Sequence, residues 1–327
     1  MDKITVVVPC FNEEAVIPTF YEKMSDVSEK LSGEAVVELL FVDDGSSDGT
    51  LELLEALSDE GRQVGYISFS RNFGKEAALF AGLEEHAVDF VAVMDSDMQD
   101  PPEYLIRMYR MLKENGELDC VAAKRTTRAG EPKMRSFFAR RFYKLINRIS
   151  DTKITDGARD FRMMRREMAE AVISLGERCR FSKGLFSWVG FNTGWIEFEN
   201  TARVAGDTKW SFFGLFAYAL EGIMAFTTAP MSLPFLGALT SFVLCPALAL
   251  LAAFLKVSST WKLLLGVSAV LMLCTSMIMT GIGVLGGYMS KVYREVKERP
   301  MYIVRRRGGA AASDEKKKIT PIFEKGC

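Results

Sequence analysis

The chain has 327 residues, 41 Lys or Arg against 42 Asp or Glu, and a formal net charge of −1. That length accommodates one large domain or one domain with an appendage, and the balanced charge argues against the basic field of a nucleic-acid-binding protein. The six cysteines, Cys10, Cys120, Cys179, Cys245, Cys274 and Cys327, form no C-x-x-C pair and no metal-ligand spacing, which disfavours a thiolate metal site and fits a reducing compartment.

The single histidine, His86, stands in the polar run Glu84-Glu85-His86 and reads as a surface residue. A Ser-His triad and His-ligated zinc are therefore disfavoured. The N-terminus MDKITVVVPC has too short an apolar run and too early an acid for a signal peptide, so the first half of the chain is expected in the cytoplasm.

From residue 3 to 124, short β-branched runs alternate with helical stretches, the pattern of a βαβ-type parallel sheet. Strands are predicted at 4–8, 36–42, 64–69, 90–94 and 119–123. Polar clusters follow four of them directly, at the edge where open α/β sheets bind ligands. Past Arg125 comes a loop rich in Lys, Arg, Gly and Pro, then RSFFARRFYKLINRI. Its Phe138, Phe142, Leu145, Ile146 and Ile149 fall at helical spacing opposite a basic face. An interfacial helix over about 135–150 fits this pattern, with an ordinary amphipathic core helix as the alternative. The catalytic domain is assigned to 1–210, this helix included.

The segment SFFGLFAYALEGIMAF carries Glu221 and is short for a span, so 211–229 is expected to be a second interfacial helix. Pro230 and Pro234 would mark the turn into the bilayer. Residues 230–288 are expected to hold two transmembrane helices, at about 233–255 and 263–287. Neither stretch contains an Asp, Glu, Lys or Arg, and each is long enough for a hydrocarbon core of about 30 Å. The tail 289–327 carries Lys291, Arg294, Lys297, Arg299, Arg305, Arg306 and Arg307, which predicts a cytoplasmic C-terminus. Two spans would return the N-terminal domain to that same side.

Three clusters carry chemistry. In VDDGSSDGT, Asp43 and Asp44 end a strand before a Gly-Ser turn, where carboxylates can accept hydrogen bonds from a base or ribose. An Asx turn capping the helix near Thr50, through Ser47 and Asp48, would also account for the pattern. In MDSDMQDPPE, Asp95, Asp97 and Gln99 follow a strand at two-residue spacing. An extended chain would aim all three oxygens the same way, toward a hard cation such as Mg²⁺ or Mn²⁺ that bridges a diphosphate. The third cluster is cationic: Arg125, Arg128, Lys133, Arg135, Arg203 and Lys209. It could clamp a lipid phosphate or serve only anionic headgroups.

The motifs VVVPCFNEE, VDDGSSDGT, RNFGKEAAL, MDSDMQDPPE, DFRMMRRE and TKWSFFGLFAYALEGI occur in this order. Together they resemble the polyisoprenyl-phosphate glycosyltransferases of glycosyltransferase family two, related to dolichol-phosphate mannose synthase and the bacterial GtrB-type enzymes. The resemblance covers about residues 4–287. It implies a GT-A fold, a Rossmann-like mixed sheet, followed by interfacial helices and two C-terminal spans. It further implies that Pro9, Asn12, Glu13, Asp43 and Asp44 surround a nucleotide, and that Asp95, Asp97 and Gln99 hold the diphosphate and metal. Asp160 would lie beside the reacting centre, and Arg125, Arg203 and Lys209 would approach the acceptor phosphate. The chain departs from the family in having Thr208 where a serine usually precedes Lys209.

On this resemblance the expected reaction is inverting transfer of a hexose from a nucleotide sugar to polyisoprenyl, in bacteria undecaprenyl, phosphate. UDP-glucose is the preferred donor and GDP-mannose the alternative. Location at the bacterial inner membrane and a homotetramer are implied in the same way. A processive polysaccharide synthase would share the Asp clusters but carries a Q-x-x-R-W motif that this sequence lacks. A membrane-tethered nucleotide-binding regulatory protein is the non-enzymatic alternative.

Overall fold

The computed structural model describes residues 1–60, 63–85, 88–125, 157–178, 180–198 and 260–309, with shorter pieces at 141–155 and 223–240. His86, Arg203 and Lys209 lie outside them, as do most of the expected second interfacial helix and first span. The chain forms two compact units.

The first unit contains β1 (Asp2–Cys10), α1 (Ile17–Leu31), β2 (Ala35–Asp43), α2 (Thr50–Asp59), β3 (Val64–Phe69) and α3 (Lys75–Glu84). It continues with β4 (Phe90–Val93), α4 (Tyr104–Glu114), β5 (Cys120–Arg125), β6 (Ala158–Arg165) and α5 (Arg166–Ser174). Next come α6 (Ser182–Trp188) and β7 (Thr193–Phe198). The five strands expected between residues 3 and 124 are all present, with ends shifted by no more than two residues.

Together with β8 (Val304–Gly308), the strands make one sheet in the order β7-β5-β6-β4-β1-β2-β3-β8. Within it, β4, β1, β2 and β3 run parallel, whereas β6 is antiparallel to both β4 and β5. This is a mixed, GT-A-like α/β sheet. Successive strand residues face opposite sides, so Ile4, Val6 and Val8 of β1 enter one core while Val7 enters the other. The first core takes Ile17, Phe20, Met24, Val27 and Leu31 of α1 with Leu105, Met108 and Leu112 of α4. Each of these fully buried side chains contributes about 2 kcal/mol of transfer free energy. The second core takes α3, buried along Ala77–Leu83, and Met168, Ala169 and Val172 of α5. Helix α3 can lie this close because Gly82 meets β1, where an added Cβ would stand 2.1 Å from a Val7 methyl.

The second unit comprises residues 145–151 and 211–299. Its main element is α7 (Thr260–Val296), 37 residues or about 55 Å at 1.5 Å per residue. Within it, Val270–Val296 is long and apolar enough to cross a membrane, with a mean hydropathy of 1.8 and most of its described side chains exposed or half-buried. The helix runs nine residues beyond the expected end at 287, because Tyr288 through Val296 continue without a Gly or Pro break. Of the other expected span, residues 234–240 are helical and the remainder falls outside the described residues. Residues 146–149 are helical. They connect to α7 through Thr227, whose hydroxyl donates to the Ile149 carbonyl at 2.7 Å and whose carbonyl accepts from the Tyr288 hydroxyl at 2.6 Å.

Two features bear on where the compact units begin and end. Residues 145–151 group with α7 and not with the sheet. Part of the expected basic tail, Val304–Gly308, is instead strand β8, paired antiparallel to β3. Two of its cations are paired there: Arg306 binds Glu55 at 2.9 Å, and Arg307 binds Glu85.

Candidate active site

The C-terminal ends of β1 to β5 and the start of the antiparallel β6 lie along one edge of the sheet. This edge gathers the segments 10–14, 43–50, 70–75, 95–100, Arg125 and Arg159-Asp160. Strand ends and helix starts leave backbone donors free at such an edge.

Two loops are stitched together at β1 and β2. Asn12, in the left-handed region at φ 54°, accepts the Ser47 N–H on its side-chain oxygen at 2.8 Å. Its own N–H donates to the Ser46 hydroxyl at 2.9 Å, and the Glu13 N–H donates to Thr50. Pro9 is the penultimate residue of β1, beside Val42 of β2. Asp43 is buried and accepts from the Ser46 N–H at 2.9 Å and the Ser68 hydroxyl at 2.7 Å. Asp44, also buried, accepts from the N–H groups of Phe73, at 2.6 Å, and Gly74. Burial pushes the Asp44 carboxyl up, and those two N–H bonds offset part of the rise. Both acids therefore brace loops. The Asx-type turn weighed for this motif is present as well, since Asp48 accepts from the Thr50 N–H at 3.1 Å. Gly45 is required here: at φ 70°, an added Cβ would stand 2.4 Å from the Arg71 backbone.

Beyond β4 the chain does not stay extended. Residues 96–97 turn and Met98 adopts φ 58°, a strained value for a bulky side chain. Asp95, Asp97 and Gln99 consequently do not share one direction as an extended segment would dictate. The Asp95 carboxylate meets the Lys75 ammonium at 2.7 Å. Asp97 accepts from the Gln99 N–H at 3.1 Å, while the Gln99 side-chain oxygen accepts from Arg159 at 3.1 Å. Arg159 also pairs with Asp100 at 2.9 Å. Burial raises the Asp100 carboxyl to about 6 despite that guanidinium.

Lys75, the first residue of α3, binds Asp160 of β6 at 2.7 Å as well. Burial disfavours the Asp160 charge, but Lys75, Lys183 and Arg162 outweigh it and hold the carboxyl well below the usual range. The same acids, Asp160 and then Asp95, overcome desolvation and hold Lys75 firmly protonated. The Lys75 side chain is 43% exposed, so solvent screens the pairs and their contribution to stability is small. Arg162 is buried, stacks over the Phe186 ring at 3.8 Å and donates to the Asp160 and Arg159 carbonyls, which fixes the start of β6.

The donor set suits a hard divalent ion. Among the described residues no three Asp, Glu, His or Cys gather around one point. Asp95 and Asp97 provide two carboxylates, and Mg²⁺ is commonly held by one or two carboxylates with phosphate oxygens and water completing the shell. These residues therefore fit an ion shared with a diphosphate and not an all-protein cage.

Of the site residues expected from sequence, the edge brings together Pro9, Asn12, Glu13, Asp43, Asp44, Asp95, Asp97, Gln99, Arg125 and Asp160. Lys75, Arg159 and Arg162 were given no role. A signal for Lys75 existed, since a lysine opening a helix opposes the helix dipole and calls for acidic partners.

Comparison with known proteins agrees with this architecture. Residues 5–173 match Glycosyl transferase family 2. The chain belongs to that family and is a glycosyltransferase. It is 39% identical to the prophage bactoprenol glucosyl transferase homolog of Escherichia coli K12 over 317 residues, covering 93% of this chain and 99% of that protein. It is likewise 39% identical to the bactoprenol glucosyl transferase of Shigella phage SfX, with 93% and 99% covered. With the uncharacterized glycosyltransferase sll0501 of Synechocystis it shares 35% identity, with 92% and 94% covered.

Proposed function

We propose that this glycosyltransferase moves a hexose, glucose from UDP-glucose by preference, onto the phosphate of a polyisoprenyl lipid such as undecaprenyl phosphate, with inversion at the anomeric carbon. The observation that carries the reading is the meeting of Asp95, Lys75 and Asp160, from three separate segments, at the ligand-binding edge of the sheet. The full-length similarity to bactoprenol glucosyl transferases supports both glucose and a polyisoprenyl acceptor.

In this reading Pro9, Asn12 and Glu13 frame the nucleotide from one side and Asp43 with Asp44 from the other. Asp95 and Asp97 would hold Mg²⁺ or Mn²⁺, and Gln99 would join them only by leaving Arg159. The ion, when bound, supplies positive charge to the departing diphosphate. Lys75 adds a second positive charge there. A phosphate monoester with a second pKa near 6 is already ionised at neutral pH, so the acceptor needs no general base. Asp160, held ionised, is a weak base and orients the sugar or acceptor. Arg125, Arg203 and Lys209 would bind the acceptor phosphate.

The long apolar helix supports a membrane location. We extend this to a multi-pass protein of the bacterial inner membrane, with the catalytic domain and both termini cytoplasmic, acting as a homo-oligomer, tetrameric by family resemblance.

The test is to incubate the purified protein and undecaprenyl phosphate with a panel of labelled sugar nucleotides, with and without Mn²⁺. Metal-dependent label in the lipid phase from UDP-glucose is expected. Labelling from no donor in the panel contradicts the reading.

A further inference from the structure

Lys75 holds two acids with different tasks in the proposed reaction. Its ammonium lies 2.7 Å from Asp95, at the metal position, and 2.7 Å from Asp160, beside the sugar or acceptor. The backbone leaves it little choice. Gly74, at φ 100°, turns the chain into α3, and both the Phe73 and Gly74 N–H groups are pinned by Asp44. The next residue, Glu76, is half-buried and receives the N–H of Ser182 at 3.0 Å as well as its hydroxyl, which anchors the first turn of α3.

A divalent ion coordinated by Asp95 must share that carboxylate with an ammonium already in contact with it. Two cations on one carboxylate repel each other even with substantial solvent screening. A diphosphate reverses the balance, because its oxygens offer both cations a common counter-ion. We propose that Lys75 makes metal binding depend on the nucleotide: it competes with the divalent ion for Asp95, keeps the ion's affinity low in the free enzyme, and turns to the diphosphate when the donor binds. The inference rests on the proposed metal-assisted transfer and adds to it an order of assembly, in which ion and nucleotide enter together. Lys75 acts here as a positioning residue.

The test reads Mn²⁺ binding directly, from the electron paramagnetic resonance signal of free Mn²⁺, on the full-length protein in detergent with and without UDP. Lys75→Met and Lys75→Gln remove the charge, Lys75→Arg keeps it, and Asp97→Asn is the control for the site. In the absence of UDP, the two neutral variants should bind Mn²⁺ about tenfold more tightly than wild type. Their gain in affinity on adding UDP should shrink, and Lys75→Arg should track wild type. Circular dichroism identifies any variant that fails to fold, and either neutral variant alone suffices. Unchanged or weaker Mn²⁺ affinity in a folded neutral variant overturns the inference and leaves the metal reading standing. No saturable binding by wild type even with UDP, or binding unaffected by Asp97→Asn, overturns both.

Discussion

Tyr302 lies flat against Phe69, with ring centroids 4.8 Å apart and planes 17° from parallel, and its hydroxyl donates to Glu84 at 2.7 Å. The next carbonyl, that of Ile303, accepts the Ser70 N–H at 2.9 Å. The segment beyond the long apolar helix thus grips both the loop leading into α3 and the end of α3. Tyr302→Ala should lower stability by about 2 kcal/mol through the lost stack and burial. Tyr302→Phe keeps the stack and should cost about 1 kcal/mol for the hydrogen bond. Thermal melts of the purified variants would reveal the order, and equal losses would contradict it.

Gly45 permits the closest approach between the two loops around Asp44. Gly45→Ala forces both an unfavourable φ and a collision with the Arg71 backbone, so a loss of about 3 kcal/mol is expected. Nucleotide affinity, followed by calorimetry, should fall with it. A variant of wild-type stability and affinity would show that the loop relaxes freely.

Asp97→Asn removes a carboxylate of the proposed metal site and should reduce kcat by about a hundredfold or more. Asp160→Asn should reduce kcat less, and the rate should not titrate with Asp160 at neutral pH because the group stays ionised there. Rates at saturating acceptor and high pH measure the ranking. Equal losses would assign Asp160 a proton-transfer role.

Asp100 gives a pH-dependent signature. Its folded value of about 6 exceeds the unfolded 3.8, so the folded state holds the proton more tightly. The stability contributed by the protonated form is fully present below 3.8 and is lost as pH rises through about 6. Asp100→Asn cannot titrate. Its stability relative to wild type should therefore improve between pH 4 and 7, which melts across that range would detect.

Arg203→Ala should raise acceptor KM or lower kcat while leaving nucleotide binding intact. Calorimetry with UDP beside acceptor kinetics separates the two. A parallel loss of nucleotide affinity would remove Arg203 from the acceptor side.

The parallel half of the sheet was legible because β1 to β5 are apolar, β-branched runs followed by polar turns. Strand β6 was not, since Arg159, Asp160, Arg162 and Arg165 interrupt its pattern. Arg162 is buried there only because Phe186 and two carbonyls receive it. Strand β8 was hidden for a related reason: the partner of Arg306, Glu55, lies 251 residues earlier, and no local pattern reports such a pairing. Asp43, Asp44 and Asp95 stand out in the sequence as acids at strand ends, whereas Asp160 is reached only through the family resemblance. Their partners depend on loop geometry, above all at Gly45, Gly74 and Met98, and the extended geometry expected from two-residue spacing does not reach Gln99 because Met98 turns the chain.

Strand β8 also bears on handling the protein. A fragment ending before Thr260, cut to shed the apolar helix, would lose β8 with it and leave β3, buried along its whole length, with bare amide and carbonyl groups on its outer side. Six residues of VGYISF are a sticky template for another copy. Such a fragment should aggregate, whereas supplying residues 300–309 as a separate peptide, or grafting them back onto the shortened chain, should restore solubility.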